Sequence, residues 1–352
     1  MAKKMMFFMI TCVLLLSACS FSEDKSVSAG EGPAGELTVY TAIEEELIPL
    51  YLESFKEKYP DIDLKIVRDS TGIMTAKLLA EGENTEADVI WGLAASSLLT
   101  LDNKDMLKEY SPKGAENIKE AFKDKNDPLK WTGNAAYMTG IVVNTTELKK
   151  MELPIPKTYE DLLNPEYKGL LVMPHPASSG TGYLTVNAWL QMMGEAEGWA
   201  YMDKLHRNIG TYTHSGSKPA KMAATGEFPI ALTLVYTAVQ MKESGAPVEI
   251  VLPEEGLGWD VEANALINKS NQESEELAKV FLDWAIEEQV MKKYFEANGH
   301  TTGNSQFEKS NFFPENIEEQ IYKDNDLYWA AENRDSILKE WEKKYGSKAE
   351  VE

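Results

Sequence analysis

Cysteine is nearly missing from this chain of 352 residues, which contains two. Both, Cys12 and Cys19, fall within the first twenty residues, so the rest of the sequence has no thiol. Disulfide bonds, a cysteine nucleophile and a thiolate metal site are therefore excluded for the folded body. Long apolar runs are also missing after residue 20, which leaves no later candidate for a membrane-spanning helix.

Positive charge is scarce as well. The chain has 57 Asp and Glu residues against 35 Lys and Arg residues, a formal net charge of −22, and its three arginines are Arg68, Arg207 and Arg334. A field of this sign repels nucleic-acid backbones, so we expect no nucleic-acid partner. An anionic ligand would need hydrogen-bond donors gathered at one place.

Catalytic motifs are missing too. The sequence has no G-x-S-x-G elbow, no H-E-x-x-H pair and no P-loop lysine. Its four histidines are scattered, and although His214 precedes Ser215, adjacent residues seldom face each other as base and nucleophile. We expect a protein that is not an enzyme and that uses no cofactor and no metal.

The amino terminus has the pattern of a secretory signal over residues 1–18, with a basic start, an apolar run and small residues before Cys19. The end of this run, Leu16-Ser17-Ala18-Cys19, resembles the lipobox of bacterial lipoproteins. The resemblance implies a lipid on Cys19 and a location at the outer face of the cell membrane. A plain signal peptide with an incidental cysteine is the alternative. Residues 19–35, rich in Ser, Gly and acids, predict a flexible spacer.

Beyond the spacer, short β-type runs alternate with segments of helical spacing. Strands are predicted at residues 37–40, 62–67, 87–91, 170–173, 209–213 and 228–235. Helices are predicted after residue 47, at 72–81, from about 95, and at 182–193, 200–207, 219–225 and 275–287. The alternation predicts an α/β fold with a mostly parallel sheet, and the length indicates about two domains with a cleft between them.

The turn over residues 176–182 lies between a predicted strand and a predicted helix. Helix starts offer unpaired N–H groups and the positive end of a dipole, and glycine lets an oxyanion approach the backbone. Hydroxyls add further donors, so the turn could hold a tetrahedral anion, although helix capping is the ordinary use of such residues. The candidate ligands in this turn are Ser178, Ser179, Gly180, Thr181 and Gly182.

A second turn of the same kind, at residues 68–72, offers Ser70 and Thr71 beside Arg68. A third candidate segment follows the first strand and contains Thr41, Ala42 and Glu44. Ligands of open α/β sheets bind at the carboxyl ends of strands, so one acid there could face a cation. Helix capping and a favourable dipole interaction are the alternatives for these two segments.

Aromatic and acidic residues near strand ends complete the candidate set. Trp91, Tyr236 and Trp259 could wall a pocket, although each is more often a core residue. Asp260, like Glu262 after it, could pair with a cation in the cleft.

These segments carry a resemblance to a known family. Val39 to Ala42, Val67 to Gly72, Asp88 to Ala94, Pro176 to Gly182 and Gly258 to Asn264 are similar to the extracytoplasmic solute-binding proteins of ABC importers. Within the branch of ferric-iron and spermidine/putrescine binders, they resemble the putative 2-aminoethylphosphonate-binding subfamily.

The resemblance implies a two-lobed fold of the type II periplasmic-binding-protein kind, with mixed sheets flanked by helices. It implies a first lobe over residues 36–134 plus 267–352 and a second lobe over 135–266, with a hinge near Asn134 and Ala265. It also implies a monomer that captures a small organophosphonate between its lobes and delivers it to a membrane permease.

Other ligands stay open. Ferric iron is one, although the chain lacks the adjacent tyrosines common among ferric binders of this branch. A polyamine would suit acids and aromatics, and a phosphate ester would use the same donors as a phosphonate. An alternative of another class is a secreted lipoprotein enzyme that acts on phosphorylated compounds.

Overall fold

A computed structural model describes residues 32–298, 314 and 317–350. The signal predicted over residues 1–18, the lipid site Cys19 and most of the spacer lie outside the described residues. Within the described part, no helix is both long enough and apolar enough to cross a bilayer.

The chain opens with three β-α units. These are β1 (Gly35–Thr41), α1 (Ile48–Lys58), β2 (Ile62–Arg68), α2 (Thr71–Glu81), β3 (Val89–Ala94) and α3 (Ala95–Asp102). β1 pairs in parallel with β2 on one side and β3 on the other. The apolar residues spaced along α1 are buried, as an amphipathic helix on a sheet requires. The strands and helices predicted for this segment are confirmed.

Two long strands join this part to the next. β5 (Thr132–Asn144) and β10 (Trp259–Ile267) pair with each other antiparallel, and β10 also pairs antiparallel with β3. The short β4 (Leu107–Lys108) pairs with β10. Where the hinge is predicted, the side-chain amide of Asn134 donates to Asn264 Oδ1 at 2.9 Å. The hinge itself stays a prediction.

A second α/β segment follows β5. It contains α4 (Thr145–Lys150), β6 (Leu171–Pro174), α5 (Gly180–Met193), α6 (Glu195–Leu205), β7 (Ile209–Thr213), α7 (Lys218–Thr225), β8 (Ile230–Leu234), α8 (Val235–Glu243) and β9 (Val248–Val251). β6 pairs in parallel with β7 and β8, whereas β8 and β9 pair antiparallel with β5. The sheet, in the order β2-β1-β3-β10-β5-β8-β6-β7, is therefore mixed rather than mostly parallel.

Two large hydrophobic cores flank the long strands. The first core contains Trp91, Phe281 and Trp284, with α9 (Gln272–Ala285) and α10 (Glu288–Asn298) packed on it. The second core contains Trp189 and Tyr201 in edge-to-face contact. The last helix, α11 (Leu327–Tyr345), contributes to both cores, so the predicted assignment of residues 267–352 to one lobe stays a prediction.

Candidate functional site

A cavity lies where the strand ends and helix starts of the two segments meet. It encloses about 450 Å³, with its solvent-open part included. The carboxyl ends of strands in α/β sheets are the usual place for a ligand. The cavity is lined by Ala42, Glu44, Arg68, Ser70, Thr71, Gly92, Ala94, Tyr137, Ser179, Gly180, Thr181, Gly216, Leu234, Tyr236 and Glu262.

The amino-terminal ends of α2 and α5 meet across this cavity. α2 packs on the first core and α5 mainly on the second, yet the Gly72 N–H donates to the Ser178 carbonyl at 2.9 Å. A Cβ built on Gly180 would lie 2.7 Å from the Thr71 Cβ, which is too close for any side chain. Glycine at both positions therefore lets the two helix starts touch.

Hydrogen-bond donors converge at this contact. The first-turn N–H groups of Thr71, Gly180 and Thr181 have no partner within their helices, because no residue precedes them by one turn. Ser70 begins α2, but its side chain makes no capping hydrogen bond. The Ser179 hydroxyl does cap α5, since its Oγ accepts from the Gly182 N–H at 3.3 Å. The Ser70 hydroxyl thus faces the cavity without a capping task.

Arg68 supplies the cation of the lining. Its Nε donates to the Ile43 carbonyl at 3.1 Å, and its Nη2 donates to the Glu44 carboxylate, also at 3.1 Å. Burial raises the pKa of Glu44, while the Arg68 charge lowers it. Two bonds on one edge of the guanidinium fix its plane and leave the remaining N–H groups for a ligand.

The floor of the cavity is formed by β5 and β10. Tyr137 on β5 stands opposite Asp260 on β10, and Ala135 stands opposite Glu262. Tyr137 and Glu262 line the cavity, and the Tyr137 hydroxyl is buried with no hydrogen-bond partner in the structure. Burial, followed by the charges of Asp260 and Glu262, holds the pKa of Tyr137 well above its usual value.

The structure brings together eight of the fourteen ligand residues proposed from the sequence, including both serine- and threonine-bearing turns. Their role in binding stays a prediction. The eight that line the cavity are Ala42, Glu44, Ser70, Thr71, Ser179, Gly180, Thr181 and Tyr236.

Three proposed residues lie behind the cavity wall. Thr41 is fully buried, and its Oγ1 accepts from the Ile43 N–H at 3.1 Å. Trp91 lies in the first core, where its Nε1 donates to the Tyr294 hydroxyl at 2.8 Å. Ser178 donates its hydroxyl to the His214 carbonyl at 2.8 Å. Each of these side chains bonds to a group of the protein, and its part in ligand binding stays a prediction.

The other three serve local structure. A Cβ on Gly182 would lie 2.6 Å from the Pro174 carbonyl oxygen, so this glycine permits close backbone packing. Trp259 donates its Nε1 to the Tyr322 carbonyl at 2.9 Å. Asp260 is buried at the start of α3, where it accepts from the Ser96 hydroxyl at 2.5 Å and the Ser96 N–H at 3.4 Å. Burial raises the Asp260 pKa to about 6, against these hydrogen bonds.

Sequence reasoning missed several lining residues. The cavity is also lined by Arg68 and Glu262, which the sequence had indicated beside the fourteen, whereas Gly92, Gly216 and Tyr137 carried no prediction of their own. Gly92 has a φ of +68°, and a Cβ on Gly216 would lie 2.1 Å from the Thr181 Oγ1, so glycines near strand ends were a usable signal. Tyr137 lies inside a long buried strand and carries no such signal. Ala94 and Leu234 complete the missed set.

Acidic and imidazole side chains do not gather into a metal site. Across residues 32–298, 314 and 317–350, no group of three or more His, Cys, Asp or Glu residues could hold a metal ion.

This fold and this interlobe cavity define a protein that binds a small solute. Residues 84–328 match the family described as bacterial extracellular solute-binding protein, and the chain belongs to this family. As a member of this family, it is an extracytoplasmic protein that binds a solute. The predicted two-lobed α/β fold of the type II periplasmic binding proteins is confirmed.

Particular relatives support this placement. The solved periplasmic binding protein AfuA from Actinobacillus pleuropneumoniae, with fructose 6-phosphate bound, is 27% identical, with a TM-score of 0.80 over 89% of this chain and 99% of that one. An uncharacterised protein of Haemophilus influenzae is 28% identical over 93% of this chain and 96% of its own length. The probable ABC transporter periplasmic-binding protein y4fP of Sinorhizobium fredii is 24% identical over 66% of this chain and 64% of its own.

Proposed function

We propose that this protein captures a small solute with a phosphonate or phosphate group, with 2-aminoethylphosphonate as the leading candidate, and delivers it to a membrane permease. The observation that carries the proposal is the convergence of two helix starts on one cavity. Ser70 and Thr71 come from α2, Ser179 to Thr181 come from α5, and Arg68 stands beside them. A tetrahedral oxyanion can accept from several of these donors at once.

The energetics favour an oxyanion at this place. A helix amino terminus carries roughly half a positive charge, and hydrogen bonds to a charged group contribute about 1.5–3 kcal/mol each. Three or four such bonds, with one guanidinium, are sufficient for a tight complex without a cluster of lysines. This matters in a chain whose formal net charge is −22.

The charge of the lining favours a zwitterion. Arg68 provides one positive charge, and Glu44 and Glu262 provide two negative charges, so the formal sum is −1 before the helix ends are counted. A solute with an oxyanion alone would meet both carboxylates. An aminoalkylphosphonate brings an ammonium group that compensates one of them.

A sugar phosphate is the second candidate. The relative AfuA has fructose 6-phosphate bound in its structure, and sugar hydroxyls can donate to carboxylates. A polyamine would place a cation against Arg68 and two helix starts. Ferric iron would need a cluster of ligands, and the described residues form none from His, Cys, Asp and Glu side chains.

Two further expectations belong to the same proposal. The mature chain acts as a monomer, and a lipid on Cys19 holds it at the outer face of the membrane. Mass spectrometry of the membrane-extracted protein would detect the acylated cysteine. A Cys19→Ser variant should be released from the membrane and should retain ligand binding.

The test of the binding function is a calorimetric and thermal-shift screen of the chain without its signal. The probes are 2-aminoethylphosphonate, fructose 6-phosphate, inorganic phosphate, putrescine and ferric citrate, with phosphate release measured in parallel. A binder raises the melting temperature by mass action and releases nothing. Turnover of a phosphorylated compound would instead support the enzyme alternative.

One pair of variants separates binding from capping. Ser70→Ala should weaken binding of the phosphonate by about tenfold or more, while stability stays nearly unchanged because that hydroxyl caps nothing. Ser179→Ala should weaken binding and also lower stability by about 1 kcal/mol, since Ser179 caps α5. Ser336→Ala, at an exposed site on α11, is the control. Unchanged affinity in both cleft variants would place the anion site elsewhere.

A further inference from the structure

Small side chains flank Glu262 on the floor of the cavity. In an antiparallel pair, residues opposite each other share a face, and side chains alternate along each strand. Glu262 stands opposite Ala135 on β5 and opposite Ala94 on β3, while Tyr137 lies two residues from Ala135. Glu262 and Tyr137 therefore share the cavity face, with an alanine beside the glutamate on either neighbouring strand.

Tyr137 is 7% exposed, and its hydroxyl has no hydrogen-bond partner among the residues that the structure describes. A buried hydroxyl without a partner costs free energy, so this atom is suited to bond a bound solute. Tyr236 also lines the cavity. Burial raises the pKa of Tyr236 and the pKa of Tyr51, and the charge of Glu262 raises both further. Glu262 thus lies among aromatic rings.

We propose that Glu262 and Tyr137 form an ammonium-binding subsite, which binds the end of the solute opposite its phosphonate and selects a solute with a primary ammonium group. This inference rests on the proposed function. The phosphonate lies against the starts of α2 and α5, and the chain of the solute points to the floor. The ammonium donates to the Glu262 carboxylate and to the Tyr137 hydroxyl oxygen, and the Tyr236 ring offers a cation–π face.

The test compares two ligands that differ by the amine. Calorimetry measures the dissociation constants of 2-aminoethylphosphonate and ethylphosphonate for the wild-type chain and for Glu262→Gln, Tyr137→Phe and the control Glu45→Gln. The wild type should prefer the amine by about 100-fold. In Glu262→Gln this preference should fall to less than about threefold, while the affinity for ethylphosphonate stays unchanged. Glu45 is exposed, so its variant should keep the full preference.

Tyr137→Phe covers the case in which Glu262→Gln does not fold. It should lower the preference for the amine by about tenfold, and its melting temperature should be equal to or above that of the wild type, because an unpartnered hydroxyl is removed.

The outcomes separate a failure of the subsite proposal from a failure of the proposed function. If the wild type binds both phosphonates equally, or if Glu262→Gln weakens both equally, the subsite is overturned and the phosphonate function stands. If fructose 6-phosphate binds and 2-aminoethylphosphonate does not, the subsite is overturned and the phosphate-ester form of the function stands. If no phosphonate or phosphate ester binds, the proposed function itself fails.

Discussion

A methyl group added at Gly72 should prevent the cavity from closing while leaving the fold intact. Gly72 lies in the first turn of α2, in ordinary helical backbone, so alanine is allowed there and favours the helix. A Cβ at this position would nevertheless lie 2.1 Å from the Ala177 carbonyl oxygen and 2.6 Å from the Ser178 carbonyl carbon. Both atoms belong to the backbone before α5, which cannot rotate away.

The size of the effect follows from this geometry. Ordinary van der Waals contact begins at 3.4 Å, so the starts of α2 and α5 must separate by more than about 1 Å. Overpacking of this kind costs about 1–3 kcal/mol, and the lost Gly72-to-Ser178 hydrogen bond adds about 1 kcal/mol. A penalty of about 3 kcal/mol that applies only to the ligand-bound form, in which the two helix starts touch, corresponds to roughly 100-fold weaker binding. Stability of the free protein should change little, with a gain of up to about 1 kcal/mol from the helix.

Calorimetry with 2-aminoethylphosphonate and with fructose 6-phosphate measures the affinity, and urea unfolding without ligand measures the stability. Ala76→Ser adds one atom on the exposed side of the same helix and serves as the matched control. An affinity of Gly72→Ala within threefold of the wild type would refute the idea that contact between the two helix starts is needed for capture. Weaker binding accompanied by an equal loss of stability would point to misfolding instead.

Two further substitutions test the assignments beside the cavity. The first is Asp260→Asn. The folded Asp260 has a pKa of about 6, above its ordinary 3.8, so the protonated carboxyl favours the folded state. This stabilisation is fully present below pH 3.8, is lost as the pH rises through 6, and amounts to about 3 kcal/mol. The difference in unfolding free energy, variant minus wild type, should therefore increase by about that amount from pH 4 to pH 7 in urea titrations, and a flat difference would contradict the buried assignment. The second is Arg68→Lys, which keeps the charge but lacks the planar guanidinium that bonds Ile43 and Glu44 along one edge, so phosphonate affinity should fall by about tenfold in calorimetry. Equal affinity would show that Arg68 acts as a point charge.

Local sequence signals predicted the walls of the site well. Ser70, Thr71, Ser179 and Thr181 stand where a strand ends and a helix begins, and that junction is visible in the pattern of apolar and small residues. The carboxyl ends of strands in one α/β layer converge on one edge, so residues from distant positions meet without any knowledge of register.

The floor could not be predicted in the same way. Tyr137 lies in a strand of thirteen residues that is buried throughout, so no alternation marks the face that it shares with Glu262. Its position depends on the pairing of β5 with β10, strands separated by more than a hundred residues. Asp260 and Glu262 lie two residues apart on β10 and so share a face, but Asp260 bonds to Ser96 at the start of α3, whereas Glu262 stands between two alanines.

The choice of donors makes the proposed anionic ligand compatible with so acidic a chain. At physiological ionic strength charges are screened over about 8 Å, so most of the 57 carboxylates contribute little inside the cavity. What the ligand meets is the local set: amide and hydroxyl donors with fixed dipoles, one arginine held in plane by Glu44, and the Glu262 carboxylate on the floor. Dipoles of the backbone attract an oxyanion strongly at close range and weakly at a distance, and they need no counter-charge when the cavity is empty. A cluster of lysines would bind any anion in solution, whereas fixed donors at one end and a carboxylate at the other favour a solute that carries both charges at the right separation.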